Sequence, residues 1–341
     1  MNPRLSICIA TYQRAHFLSE SLRSIVDQGL DEIEIVIVDG ASPDDTAVVV
    51  APFVERFPGQ VRYHREAAKG GVDQDYAKAV AYARGDYCWL LSDDDPLKPG
   101  ALRAVLTAIA DGCSLVVVNA EVRTADLGRQ LEERRLAVTT DREITGLEEL
   151  FTLTVDYLTF IGAVVIKREL WLARPHDAYI GSEFIHLGVI FQAPLPAPAR
   201  IIATPLILLR YGNAQWSGRS FEIWMFKYPR LIWSFAALPE AARGRAVARE
   251  PWRRLGRAFS FRAKGSYDLA VYRRLIVPAC PAGPRRWVLF LIACFPGPLA
   301  NLLAHVAFAC KPRCSPLNWV DLRNSRHYFM KGLGLARRAS T

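Results

Sequence analysis

The sequence predicts an α/β fold, a doubly wound and mostly parallel sheet followed by a helical C-terminal extension that is basic and apolar. Three observations carry this expectation. Apolar runs of strand length at residues 5–10, 33–38, 61–64 and 86–91 alternate with segments of helical period, the pattern of consecutive βαβ units. The fourth run leads into three consecutive carboxylates, Asp93, Asp94 and Asp95, before Pro96, Pro99 and Gly100 stop the strand and open a helix. Charge is divided unevenly: residues 243–341 hold 19 Lys and Arg against 3 Asp and Glu, leaving 24 against 31 in the first 242. An acidic first part with a basic tail implies two environments and speaks against a nucleic-acid binder.

At 341 residues the chain is long enough for one large domain or two modest ones. A hydrophobic share of 51% excludes a disordered chain, and a mean hydropathy of +0.09 is slightly high for a purely soluble one. The seven cysteines show no zinc spacing: Cys8, Cys88 and Cys113 fall in apolar strands, and Cys310 and Cys314 have no second pair. Reduced thiols facing the cytoplasm are expected. The apolar run in MNPRLSICIATYQR is too short for a signal peptide and reads as a strand.

The strand at 5–10 leads into the polar turn Thr11-Tyr12-Gln13-Arg14, then a helix to about residue 28 with Leu18, Leu22 and Ile25 on one face. The strand at 33–38 ends on Asp39-Gly40. Ser42, Pro43, Asp44 and Asp45 predict a helix start with Ser42 at the N-cap, and that helix runs to Phe57. After the strand at 61–64, Lys69-Gly70-Gly71 is a loop and 72–83 a helix. Beyond the acids come a helix at 99–111, a buried strand at 114–119 and a polar loop or hairpin at 123–142. Thr145 to Glu148 spells a capping box. A strand at 161–167, a helical turn at 168–171, a helix over 179–192 and a strand at 201–209 follow.

The chain then changes character. Residues 221–235 are rich in aromatics at helical spacing, and 243–274 are basic and amphipathic. Residues 287–310 contain no Asp, Glu, Lys or Arg and lie between Arg285-Arg286 and Lys311 with Arg313. About 20 apolar residues suffice to cross a bilayer, but Pro296-Gly297-Pro298 divides this stretch. A re-entrant or interfacial hairpin on anionic lipid fits better than a straight span; a buried hairpin covering the sheet is the alternative.

Four motifs occur in order: Thr11-Tyr12-Gln13-Arg14, Val38-Asp39-Gly40-Ala41-Ser42-Pro43-Asp44, Gly70-Gly71 and Leu91-Ser92-Asp93-Asp94-Asp95. Together they resemble the GT-A fold family 2 glycosyltransferases of bacterial surface-polysaccharide type, over about residues 4–210. The family's acidic motif usually opens with Asp where Ser92 stands; its Asp pair, Pro and Gly are kept as Asp94, Asp95, Pro99 and Gly100. The resemblance implies a GT-A, Rossmann-like domain over residues 1–215; the basic, apolar composition of 216–341 predicts a helical, membrane-associated region.

By resemblance, Asp39 accepts a hydrogen bond from the nucleobase, Thr11, Tyr12 and Arg14 line the nucleotide pocket, and Asp93 and Asp94 meet the donor. Mn2+ or Mg2+ prefers oxygen ligands, typically one or two carboxylates plus substrate phosphates. Asp95 is the expected ligand, and Asp93 the second contact, to metal or ribose. The family's base is an Asp or Glu at a helix start facing the acceptor, matched here by Glu183 with Asp177 in reserve. His186, one helical turn from Glu183, stays open between metal ligand, alternative base and core histidine. In the loop at 210–219, Trp216 is a candidate to stack on a sugar and Arg219 to reach the diphosphate.

The expectation is a metal-dependent, inverting transfer of a hexosyl or deoxyhexosyl unit. The donor is a nucleotide sugar, and the acceptor a hydroxyl of a glycan or lipid-linked glycan at the cytoplasmic, inner face of the cell membrane. A catalytically degenerate nucleotide-sugar-binding membrane scaffold is the rival; release of nucleoside diphosphate separates the two. A nucleotidyltransferase is disfavoured, because no Gly-rich triphosphate loop with Lys or Arg follows the first strand. Nucleic acid is not an expected partner.

Overall fold

The first four apolar runs pair in parallel, as their alternation with helices requires. In the computed structural model, which describes residues 3–310 and 315–333, these are β1 (Leu5–Thr11), β2 (Ile33–Asp39), β3 (Val61–Arg65) and β4 (Tyr87–Leu91). Five further strands complete the sheet: β5 (Leu115–Thr124), β6 (Gln130–Glu132), β7 (Arg142–Ile144), β8 (Val164–Lys167) and β9 (Ala199–Tyr211). Their order is β3-β2-β1-β4-β8-β5-β9-β7, with β6 paired to β5. β8 runs antiparallel to both β4 and β5, so the second half of the sheet is mixed.

The order reverses at β1: β2 and β3 lie on one side and β4 on the other. Chain ends at such a reversal diverge and leave a crevice at the C-terminal ends of the strands, the place where open α/β sheets bind ligands. Thr11 is in register with Asp39, and Ile9 with Leu91, two residues before Asp93. All three motifs therefore reach one edge.

The helices that accompany the sheet include α1 (Ala15–Val26), α2 (Thr46–Arg56), α3 (Val72–Tyr82), α4 (Ala101–Ala108), α5 (Leu147–Thr154), α6 (Arg168–Ala173) and α7 (Ile185–Phe191). Leu18, Leu22 and Ile25 are fully buried on α1, the face its periodicity predicts. Four local expectations are corrected. Ser42 does not cap α2, which begins after Asp45; its hydroxyl instead accepts the Gln13 N–H at 2.9 Å. The capping box does not form, because α5 starts one residue late with Gly146 at its N-cap. The helix expected from 179 begins only at Ile185, since Gly181 and Glu183 both adopt positive φ. The strand expected from 161 opens with a 3-10 turn, Ile161–Ala163. At 123–142 the hairpin forms, with β6 folding back on β5.

The chain divides into two units: residues 1–210 with 231–246, and residues 211–230 with those from 247 on. The second is helical, with one core around Phe221, Trp252 and Tyr267 and another around Ala263, Ala300 and Leu322. Within it, helices Pro284–Cys294 and Gly297–Ala309 meet at 102°, and among the described residues no single helix is long and apolar enough to cross a membrane. Their inner sides bury Leu289, Ala293, Ala300 and Ala304. Of thirteen large apolar side chains exposed among the described residues, seven stand on the outer side of this hairpin, including Trp287, Leu291 and Val306. That concentration marks a surface rather than scattered exposure. The flanking Lys311 and Arg313, and Cys314, lie outside the described residues.

Candidate active site

The first turn of α3 organises the site. Tyr76 donates its hydroxyl to the Leu91 carbonyl at 3.0 Å, tying the helix to the end of β4 just before the acids. One residue earlier, the buried Asp75 approaches the loop after β2: a methyl group added at Gly40 would come within 2.9 Å of Asp75 Oδ2 and 3.7 Å of Tyr12. Gly40 is therefore small because a carboxylate and a ring occupy its flank. Asp73, a turn back, accepts the backbone N–H of Glu183 at 2.9 Å and of Ile185 at 3.0 Å.

At the end of β2, Asp39 is fully buried. Its Oδ1 accepts the Ser42 N–H at 2.8 Å and its Oδ2 the Tyr63 hydroxyl at 2.5 Å. Asp44 accepts the Ala15 N–H at 3.2 Å, so the loop after β2 holds the start of α1. Tyr12 carries the Lys69 ammonium over its ring, 3.6 Å from the centroid. Asp75 Oδ1 has no hydrogen-bond partner, and burial first, with Glu66 and Asp39 adding against Lys78 and Lys69, pushes its carboxyl up to about 6.

Asp93, Asp94 and Asp95 are all buried. Arg14 pairs with Asp94 at 2.5 Å and approaches Asp93 at 3.6 Å. Asp95 Oδ1 accepts the Arg210 N–H at 2.7 Å. Burial, then the neighbouring Asp94 charge, pushes Asp93 up to about 7 and Asp95 well above the carboxylate range. Cationic charge is thus short at this strand end. The buried Thr11 hydroxyl lies beside the Asp93 carboxylate. Among the described residues no three His, Cys, Asp or Glu side chains form a cage. A set of hard oxygen donors with too little compensating charge fits a divalent ion whose remaining ligands come from phosphate.

Glu183 stands half-exposed just before α7, at φ 72°. Asp177, the reserve, is exposed in a 3-10 turn. The metal role for His186 is corrected. Its Nε2 meets the Leu158 carbonyl at 2.7 Å, and its Nδ1 is buried without a partner. Burial lowers its basicity to a pKa of about 4, so it is a neutral core histidine. Because Glu183 lies outside the helix, the two do not share a helical face. Trp216 is exposed, edge-on to Trp224 at 6.2 Å, and Arg219 ends a 3-10 turn.

Sequence reasoning missed Asp73, Asp75, Tyr76 and Arg210. The available signal was two acids and a Tyr in Val72-Asp73-Gln74-Asp75-Tyr76. Acids in a first helical turn, however, are ordinarily solvated partners of the helix dipole.

A strand order that reverses at β1, with acids at the end of β4 and a carboxylate before a downstream helix, matches the GT-A fold. Staphylococcus aureus TarS, residues 1–349, solved in complex with UDP-GlcNAc, shares that fold with a TM-score of 0.56 at 15% identity, over 97% of this chain and 92% of TarS. Residues 6–163 match the family model described as Glycosyl transferase family 2. Abequosyltransferase RfbV of Salmonella typhimurium is 29% identical over 225 residues, 61% of this chain and 67% of RfbV. GalNAc(5)-diNAcBac-PP-undecaprenol beta-1,3-glucosyltransferase of Campylobacter jejuni is 29% identical over 118 residues, 34% of this chain and 38% of that protein.

Proposed function

We propose that this protein transfers one sugar from a nucleotide-sugar donor to a hydroxyl of a lipid-linked glycan, with inversion, during assembly of a bacterial surface polysaccharide. The observation that supports it most is the convergence on one turn of α3: Asp75 beside Gly40 and Tyr12, Tyr76 below the acids, Asp73 on the Glu183 backbone. Asp39 and Tyr12 receive the base, and Arg14 holds Asp94 in place for the donor. Asp95 and Asp93 would hold Mn2+ or Mg2+, which when bound would offset charge on the departing nucleoside diphosphate. Glu183 accepts the proton of the attacking hydroxyl on its carboxylate. Attack on the face opposite the leaving group inverts the anomeric carbon.

The printed name of the Campylobacter relative includes a PP-undecaprenol acceptor, which supports a lipid-linked acceptor here. The hairpin, without Asp, Glu, Lys or Arg from 287 on and with its exposed apolar side, supports an interfacial membrane contact at the cytoplasmic face. Residues 1–215 then do the chemistry and 216–341 hold the protein at the lipid. The test incubates the full chain with UDP-, GDP-, CDP- and dTDP-sugars, Mn2+ and a lipid-linked glycan extract. One added sugar of inverted anomeric configuration supports the reading. Nucleotide-sugar binding without release of nucleoside diphosphate contradicts it and favours a scaffold.

A further inference from the structure

We propose that Asp73 is a positioning residue for the base, acting through the backbone of Glu183. The inference rests on the reading of Glu183 as that base. Asp73 is 4% exposed and stands 110 residues before Glu183 in sequence. Both of its oxygens are used: Oδ2 on the Glu183 N–H at 2.9 Å and Oδ1 on the Ile185 N–H at 3.0 Å, with the Gly181 N–H adding to the same carboxylate. A carboxylate this buried is tolerable only with such donors.

What it holds is a strained residue. Glu183 sits at φ 72°, in the left-handed region that strains a non-glycine residue, and it follows Gly181 at φ 86°. The torsion at Glu183 sets the direction of its Cα–Cβ bond, so relaxation to an ordinary right-handed value would re-aim the carboxylate. Asp73 does more than cap a helix. Ser182 Oγ already accepts the Phe184 N–H at 3.0 Å, and Asp73 takes the amide of Glu183, which lies outside α7. The same rigid turn presents Asp75 to Gly40 and Tyr76 to Leu91. One helical turn thereby sets the base in register with the nucleotide pocket and the acids.

The test measures nucleoside diphosphate released by the full chain from whichever UDP-, GDP-, CDP- or dTDP-sugar the wild type turns over with acceptor extract. Asp73→Asn keeps the shape but offers one acceptor oxygen to two amides. It should lower kcat about 10- to 100-fold while the donor KM moves less than about twofold. Asp73→Ser, which keeps one oxygen, is read the same way if the Asn variant does not fold. In a Glu183→Gln background, Asp73→Asn should cost no more than about twofold further, because residues acting as one unit are not additive. The proposal is overturned if Asp73→Asn keeps wild-type kcat while Glu183→Gln is inactive. Equally, it is overturned if the two losses multiply in full. If Glu183→Gln itself keeps wild-type kcat, the base reading fails first and this inference with it.

Discussion

Arg210 and Asp95 are joined through the backbone: the Arg210 N–H donates to Asp95 Oδ1 at 2.7 Å while its guanidinium serves three other partners. Those are the Asp94 carbonyl and the Ala125 carbonyl, both at 2.7 Å, and the Glu20 carboxylate. The end of β9 thus fixes the strand end that bears the acids. Arg210→Met keeps the stem and leaves two carbonyls without their donor. We predict a loss of roughly 2–4 kcal/mol in denaturant unfolding, with Mn2+ affinity reduced. Unfolding within 0.5 kcal/mol of wild type, a threshold taken from ordinary surface substitutions, would contradict this role.

Gly40→Ala places a methyl 2.9 Å from Asp75 Oδ2. Asp75 must move, so nucleotide binding should weaken by about tenfold or more while stability falls only by roughly 1–2 kcal/mol. Titration with UDP, GDP and CDP, following the tightest binder, checks this. Equal affinity in both proteins would mean that Asp75 does not border the nucleotide.

Asp75 also makes a prediction in pH. Its folded value of about 6 lies above an unfolded value near 4. Its contribution to stability is therefore fully present below about pH 4 and is lost as pH rises through about 6. Asp75→Asn should remove that slope and gain up to roughly 2–3 kcal/mol over wild type at pH 7. Denaturation midpoints of both proteins between pH 4 and 7 decide it; parallel curves would rule the effect out.

Much of this architecture is legible in the sequence because short apolar runs are unambiguous when helices separate them. β1, β2 and β4 fall within a residue or two of their expected bounds, and Asp39 and the acid triplet stand at strand ends for that reason. What was not legible depends on contacts distant in sequence. Asp73 looks like a dipole partner until the segment at 181–185, over a hundred residues later, supplies its donors. Ser42 has the chemistry of an N-cap, yet the Gln13 amide from another loop takes its oxygen. His186 has the chemistry of a ligand, and only the Leu158 carbonyl places it in the core.

The apolar hairpin yields a test independent of catalysis. Leu291 and Val306 are 60% and 54% exposed. Replacing both with Glu should leave thermal unfolding within about 2 °C of wild type and abolish co-sedimentation with vesicles of phosphatidylglycerol and phosphatidylethanolamine. Wild-type binding should also weaken with salt, as contact between basic flanks and anionic lipid requires. Undiminished vesicle binding by the double variant would remove the hairpin as the contact.

The central claim is that Asp95 holds the ion that assists departure of the nucleoside diphosphate. Its most direct test is Mn2+-dependent release of nucleoside diphosphate in the presence of acceptor, compared between wild type and Asp95→Asn. Wild type should release nucleoside diphosphate in a reaction that chelation with EDTA stops and Mn2+ restores, and the variant should lose about 100-fold or more at every Mn2+ concentration. Substantial Mn2+-dependent release by Asp95→Asn would contradict it.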